Sequence, residues 1–168
     1  MATVERMRED DDVTEDDTGG DNDSRRDDDG PYATWGEAVA TAHAAFAAQD
    51  FSTLVGAELT RFEPGAAEVR IPFRDELRQH FGFAHGGVIA YAIDTAVAFA
   101  AATRLGPRLL TSGITVTYLR PVSGDLTAVA TVIGTTRRQA VVRCEVYAET
   151  ASGRVLAASG QGTAVATG

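Results

Sequence analysis

A chain of 168 residues has room for one domain with a substantial core and no room for a second complete one. Its net charge of -9 is unevenly spread, because residues 1–30 hold 13 of the 24 acidic and four of the 15 basic residues and the remaining 138 carry 11 of each sign. That distribution excludes both an acidic coat over the whole surface and the basic stripe of a nucleic-acid binder. All 15 basic residues are Arg, for which the sequence offers no functional reading, and the single cysteine, Cys144, excludes an intrachain disulfide.

Residues 1–30 have few apolar side chains and strong self-repulsion, so the reading is a disordered acidic tail, a solubilising extension without a specific partner. The absence of an apolar stretch there is the reverse of a signal peptide and points to a cytoplasmic protein. An N-terminal helix is expected within residues 31–50. Over Trp35 to Asp50, apolar Val39, Ala42 and Phe46 recur at three- and four-residue spacing among helix-favouring alanines. His43 has no partner at metal-binding spacing and reads as a surface or partly packed residue rather than a ligand.

The remaining stretch, 51–168, reads as one domain. The sequences VGAELTRF and AAEVRIPF flank the turn signal Glu63-Pro64-Gly65, which predicts a β-hairpin. A polar loop and a long helix follow. Four strand-like stretches come next, Arg108 to Pro121, Leu126 to Thr135, Ala140 to Thr150 and Val155 to Ala166. Cys144 alternates with Val142 and Val146 and so faces the core, where a thiol is inert. This order of elements suits an α+β fold in which an antiparallel sheet wraps one helix.

The long helix, GGVIAYAIDTAVAFAAAT, is apolar on all sides and must be enclosed; one sheet covers part of it, which predicts a second subunit over the rest. Asp94 is the one charged residue between His85 and Arg104. A carboxylate in such surroundings is costly unless it is hydrogen-bonded, and burial raises its pKa, a setting that suits a base or nucleophile or, alternatively, a capping group at an interface. Upstream, His85-Gly86-Gly87 opens the helix, where backbone N–H groups lack intrahelical partners and the helix dipole favours an oxyanion. Gly87 and Asp94 share a face but stand about 10 Å apart along the axis. If both act on one bond, the carboxylate must come from a neighbouring subunit across a twofold axis.

The segment QHFGFAHGGVIAYAID, Gln79 to Asp94, with ITVTYLRPVSGD, Ile114 to Asp125, resembles the hotdog-fold acyl-CoA thioesterases of the phenylacetyl-CoA thioesterase (PaaI-like) group. The resemblance runs from about Leu54 to Ala166. It implies a hotdog fold, a six-stranded antiparallel sheet around a long central helix, and a homodimer with intersubunit active sites, often paired again as a dimer of dimers. Carried onto this chain, it makes Asp94 the base or nucleophile and the Gly86 N–H, with or without Gly87, the oxyanion donor. Gln79 becomes the amide that orients the thioester or water, where many members have Asn. His85 would shape the turn, Thr111 would assist the water, and Arg138 with Arg137 would lie near the CoA phosphates or be solvated turn residues.

The activity implied is hydrolysis of a small aromatic or short- to medium-chain acyl-CoA, with pocket walls from Phe81, Phe83 and Tyr91. Neither a metal nor a redox cofactor is implied, since no His/Cys cluster or dinucleotide fingerprint is present, and no nucleic-acid or membrane partner is expected. Two other readings compete. A hotdog hydratase or dehydratase would pair a His with an acid, yet His85 and Asp94 lie half a turn out of phase. A non-catalytic acyl-CoA binding module would use the same fold without turnover.

Overall fold

The computed structural model describes residues 31–167; the expectation made for the acidic segment 1–30 falls outside the described residues. Helix α1 spans Trp35–Ala47 and is capped by Thr34, whose hydroxyl accepts the Glu37 N–H at 3.1 Å. Its inner face is Ala38, Ala42 and Phe46, and Phe46 packs against Phe99 with ring centroids 5.3 Å apart. The sequence predicts helix to Asp50 and extended chain from Val55. Instead α1 stops at Ala47 and a second, six-residue helix α2 occupies Asp50–Val55. It closes on Gly56 at φ +74°, a left-handed position that glycine adopts freely, with the Gly56 and Ala57 N–H groups returned to carbonyls of the helix.

Strands β1 (Glu58–Glu63) and β2 (Ala66–Ile71) form the predicted hairpin around Pro64-Gly65. After a 3-10 turn at Asp75–Leu77 comes the 20-residue helix α3, Gly86–Leu105, and then β3 (Leu109–Tyr118), β4 (Leu126–Thr135), β5 (Gln139–Thr150) and β6 (Gly153–Ala166). All pairings are antiparallel, in the order β1-β2-β4-β5-β6-β3. The chain therefore folds as a six-stranded antiparallel sheet around a long central helix, the α+β hotdog architecture.

Period-two burial builds the inner wall: on β5, Ala140, Val142, Cys144 and Val146 are all fully buried. Helix α3 lies on this wall through Ile93, Ala96, Val97 and Ala100, each 0% exposed. By length and composition α3 could cross a bilayer, but 61% of that window is buried within the fold, as in a core helix. Burial holds the Cys144 thiol up at about 12, so it stays protonated and unreactive at neutral pH, as its alternating context predicts.

The sheet does not close over the whole helix. A stripe of α3 formed by Gly87, Ala90, Tyr91, Asp94 and Ala98 remains exposed or half-buried. Beside it, β3 is an edge strand with Leu110, Ile114 and Tyr118 exposed. A bulge at Ser112, between Thr111 and Gly113, interrupts its pairing with β6.

Candidate active site

The start of α3 is fixed from three sides. Ala84 N–H donates to the Val122 carbonyl at 2.7 Å, and His85 N–H to the Leu77 carbonyl at 2.8 Å. His85 itself is the N-cap: its Nδ1 accepts the Gly87 N–H at 2.9 Å, and its carbonyl accepts the Val88 N–H at 2.9 Å. Of the two glycine donors, Gly87 is thus committed to the cap. The Gly86 N–H donates to no acceptor among the described residues, as expected at the first helical position.

Gly86 lines a cavity of about 360 Å³ together with Gln79, Phe83, Ile89, Tyr118 and Arg120. His85 and Gly87 face a different cavity, with Phe51, Val55 and Leu77. The turn lies between the two, and of its glycines Gly86, whose N–H is open, lines the first cavity and Gly87 the second. Gln79 is held by its own loop. Its N–H donates to the Phe83 carbonyl at 2.8 Å, its carbonyl accepts the Gly82 N–H at 2.9 Å, and its side-chain oxygen accepts the Phe81 N–H. The amide NH₂ donates to no acceptor among the described residues, and Gln79 lines the same cavity as Gly86.

Tyr118 is a site residue that sequence reasoning missed. Its hydroxyl donates to the Gly86 carbonyl at 3.0 Å, and its ring is 3.4 Å from where a Cβ on Gly86 would stand. The two residues are 32 apart in sequence, and only the packing of β3 beside α3 joins them. The aromatic walls also differ from expectation. Phe83 lines the Gly86 cavity, but Phe81 is 73% exposed, and Tyr91 turns toward α2, meeting the Phe51 ring at 5.1 Å and donating to the Ser52 hydroxyl at 2.7 Å.

Asp94 sits half-buried on the open stripe and does not line the Gly86 cavity. Eight residues separate it from Gly86, about 12 Å along the helix. Thr111 lies at the opposite end of β3 from Tyr118, about 23 Å away at strand rise. Arg137 and Arg138 form the β4–β5 turn at that same far end, where the Arg138 carbonyl accepts the Ala166 N–H and Leu109 pairs with Ala166. One protomer therefore gathers Gln79, His85, Gly86 and Gly87 at one end of α3. Asp94, and beyond it Thr111, Arg137 and Arg138, lie progressively toward the other.

A core helix wrapped by a six-stranded antiparallel sheet is the framework of the hotdog thioester hydrolases, a class of enzymes. Residues 81–154 match the model of the thioesterase superfamily. A Halobacterium salinarum protein named as a candidate esterase is 34% identical over 88 residues, which cover 48% of this chain and 58% of that protein. A thioesterase family protein of Silicibacter pomeroyi superposes with a TM-score of 0.73 at 25% identity, over 77% of this chain and 97% of that one. A single-site variant of the phenylacetic acid degradation protein PaaI from Thermus thermophilus superposes at 0.63 with 30% identity, over 71% of this chain and all of that one. The chain belongs to the thioesterase superfamily.

Proposed function

We propose that this protein is a cytoplasmic acyl-CoA thioesterase that works as a homodimer, each site combining the glycine turn of one protomer with Asp94 of the partner subunit. The observation that carries this reading is the separation within one chain: the open Gly86 N–H and Gln79 share a cavity, while Asp94 stands about 12 Å down the helix on an uncovered stripe. Two α3 helices packed antiparallel along that stripe bring each carboxylate to the other's glycine turn. The same twofold axis sets β3 beside a second β3, covering Ile114 and the unpaired strand edge. It also carries Thr111 and Arg138 of the partner subunit toward the Gly86 end, where they suit the water and the CoA phosphates.

In the site so formed, the thioester oxygen accepts the Gly86 N–H, and the Gln79 NH₂ orients the thioester or the water. These donors stabilise the charge that develops as the carbonyl becomes tetrahedral. Asp94 either takes the proton of an attacking water or attacks the carbonyl itself to give an anhydride that water then opens. By both routes the C–S bond breaks and one water is consumed, with a carboxylic acid and the CoA thiol as products. Continuous detection of free thiol against a panel of acyl-CoA thioesters tests the activity. No thiol release above background from any of them would leave the binding-module reading in its place.

A further inference from the structure

The balance of charge in residues 31–168, 11 of each sign, hides a local excess. Segments 104–113, 134–142 and 161–167 meet at one end of the sheet and hold four Arg but no Asp or Glu, so this end is positive. Arg108 directly precedes β3 and Arg138 directly precedes β5, one on each side of β6. The Arg108 carbonyl accepts the Thr167 N–H at 2.8 Å, and the Arg138 carbonyl accepts the Ala166 N–H at 2.9 Å. Two strand spacings, about 10 Å, separate them. Arg137 stands next to Arg138 in the β4–β5 turn. All three are exposed, and none pairs with a carboxylate among the described residues.

The first described residues lie at this same end. Pro31 sits over Gly106, where a Cβ would stand 3.1 Å from Pro31 Cβ, and Tyr32 shares a cavity wall with Pro107 and Leu109. Arg108 follows two residues after Gly106. Before Pro31 come Gly30 and then Asp29, Asp28 and Asp27, the last acidic run of a segment with 13 acidic and four basic residues. Two to four residues of chain span at most about 14 Å, so these carboxylates are tethered within reach of the three arginines. A tether that short sets a local concentration on the order of millimolar or above. A guanidinium holds carboxylate and phosphate through the same planar fork. The acidic run and a phosphorylated ligand therefore suit these arginines in the same way and exclude each other from them.

Resting on the thioesterase reading above for its ligand, we propose that Asp27, Asp28 and Asp29 dock on the Arg108, Arg137 and Arg138 surface of their own protomer. A CoA thioester must then displace them before its phosphates can use that surface. The acidic segment is a tethered competitor as well as a solubilising extension, and ionic strength tunes it. Exposed ion pairs are individually weak and are screened over about 10 Å at 0.1 M salt. The contact thus yields to substrate instead of closing the site, and its effect is largest in dilute buffer.

The test uses the full-length protein, and its first arm needs neither CoA nor turnover. A nitroxide is attached at Ser24→Cys, since Cys144 is buried and escapes labelling. In about 20 mM salt the amide NMR signals of Arg137, Arg138 and Gln139 broaden, and raising the salt to about 0.5 M sharpens them. Replacing the acidic run (Asp27→Asn, Asp28→Asn and Asp29→Asn together) sharpens them equally. No broadening, or broadening that neither change relieves, overturns the docking. The second arm titrates CoA by calorimetry. In about 20 mM salt the triple variant binds about three- to tenfold more tightly than wild type, and the gap closes at about 0.5 M. Equal affinity in dilute buffer overturns the competition. If neither protein binds CoA, the thioesterase reading loses its ligand and the competition falls with it, while the first arm still decides the docking.

Discussion

At Asp94 a charged residue stands on the one stripe of α3 that the sheet leaves uncovered, and this explains how it persists in an otherwise apolar helix. The carboxylate meets solvent or a second protomer, and among the described residues it takes part in no hydrogen bond or ion pair. A group so placed is free to handle a proton or attack a carbonyl. Asp94→Asn keeps the shape and removes the base, so thiol release is expected to fall by at least about a hundredfold while the variant still binds CoA by calorimetry. Turnover within a few-fold of wild type in a folded variant would remove Asp94 from the mechanism. Cys144 is the opposite kind of residue. Its thiol is held up at about 12 by burial, against about 9 when unfolded. With a raised native pKa the unfolded state binds fewer protons above pH about 9, so this group's contribution to stability is fully present below that pH and declines between about 9 and 12. Urea unfolding of wild type and Cys144→Ala at pH 8 and pH 10.5 should show the wild type losing more stability, and a thiol reagent at pH 8 should label only the unfolded chain. Asp94, His85 and Gly86 were legible in the sequence because each breaks a local pattern, a charge in an apolar run or glycines at a helix start. Tyr118 was not, because its role is defined by a contact across 32 residues.

Among the elements, the strands and the long helix were legible to within a few residues, since their burial periods of two and of all-round apolarity are written in the side chains. Helix α2 was not. Six residues span less than two turns, too few for a period, and Val55, Leu59 and the β-branched residues around them read as extended chain. Its structure comes from tertiary contacts, with Tyr91 of α3 gripping Ser52 and Phe51. The glycines of β6 were equally silent. A Cβ on Gly162 would stand 2.7 Å from Val97 Cγ1, and one on Gly160 would stand 2.7 Å from the Thr115 carbonyl and 3.0 Å from Ile93 Cγ2. These two positions let α3 lie directly on the sheet, and therefore set the depth at which Asp94 emerges on the stripe. Gly162→Ala is expected to destabilise the fold by about 1–3 kcal/mol through overpacking against Val97. Gly113→Ala on the neighbouring strand, where a Cβ would meet open space, is the comparison and should cost less. Equal urea midpoints for the two variants would show that the helix can lift off β6 without penalty.

For the whole molecule, the number of strands could be counted in the sequence but their order could not. The pairing of β3 with β6 joins segments about fifty residues apart and leaves β3 on the edge, an outcome decided by packing rather than by local preference. That order puts an unpaired strand beside an uncovered helix stripe, and the two together form the surface on which the proposed shared site depends. Gly86→Pro is well suited to probe it. Gly86 is the first helical position, where proline is tolerated, and His85 at φ -64° and ψ 137° already has the extended conformation that a following proline requires. The substitution removes the open N–H and little else, although its ring must fit against Tyr118. Each of Asp94→Asn and Gly86→Pro should be inactive as a homodimer. A heterodimer of the two has one site in which the intact turn of the first chain meets the intact carboxylate of the second, and one site with both groups damaged. Two differently tagged chains, co-expressed and purified through both tags, are therefore expected to show about half the wild-type thiol release per dimer, well above either parent. Sites built within single chains would each keep one defect, and the purified heterodimer would stay at parental levels.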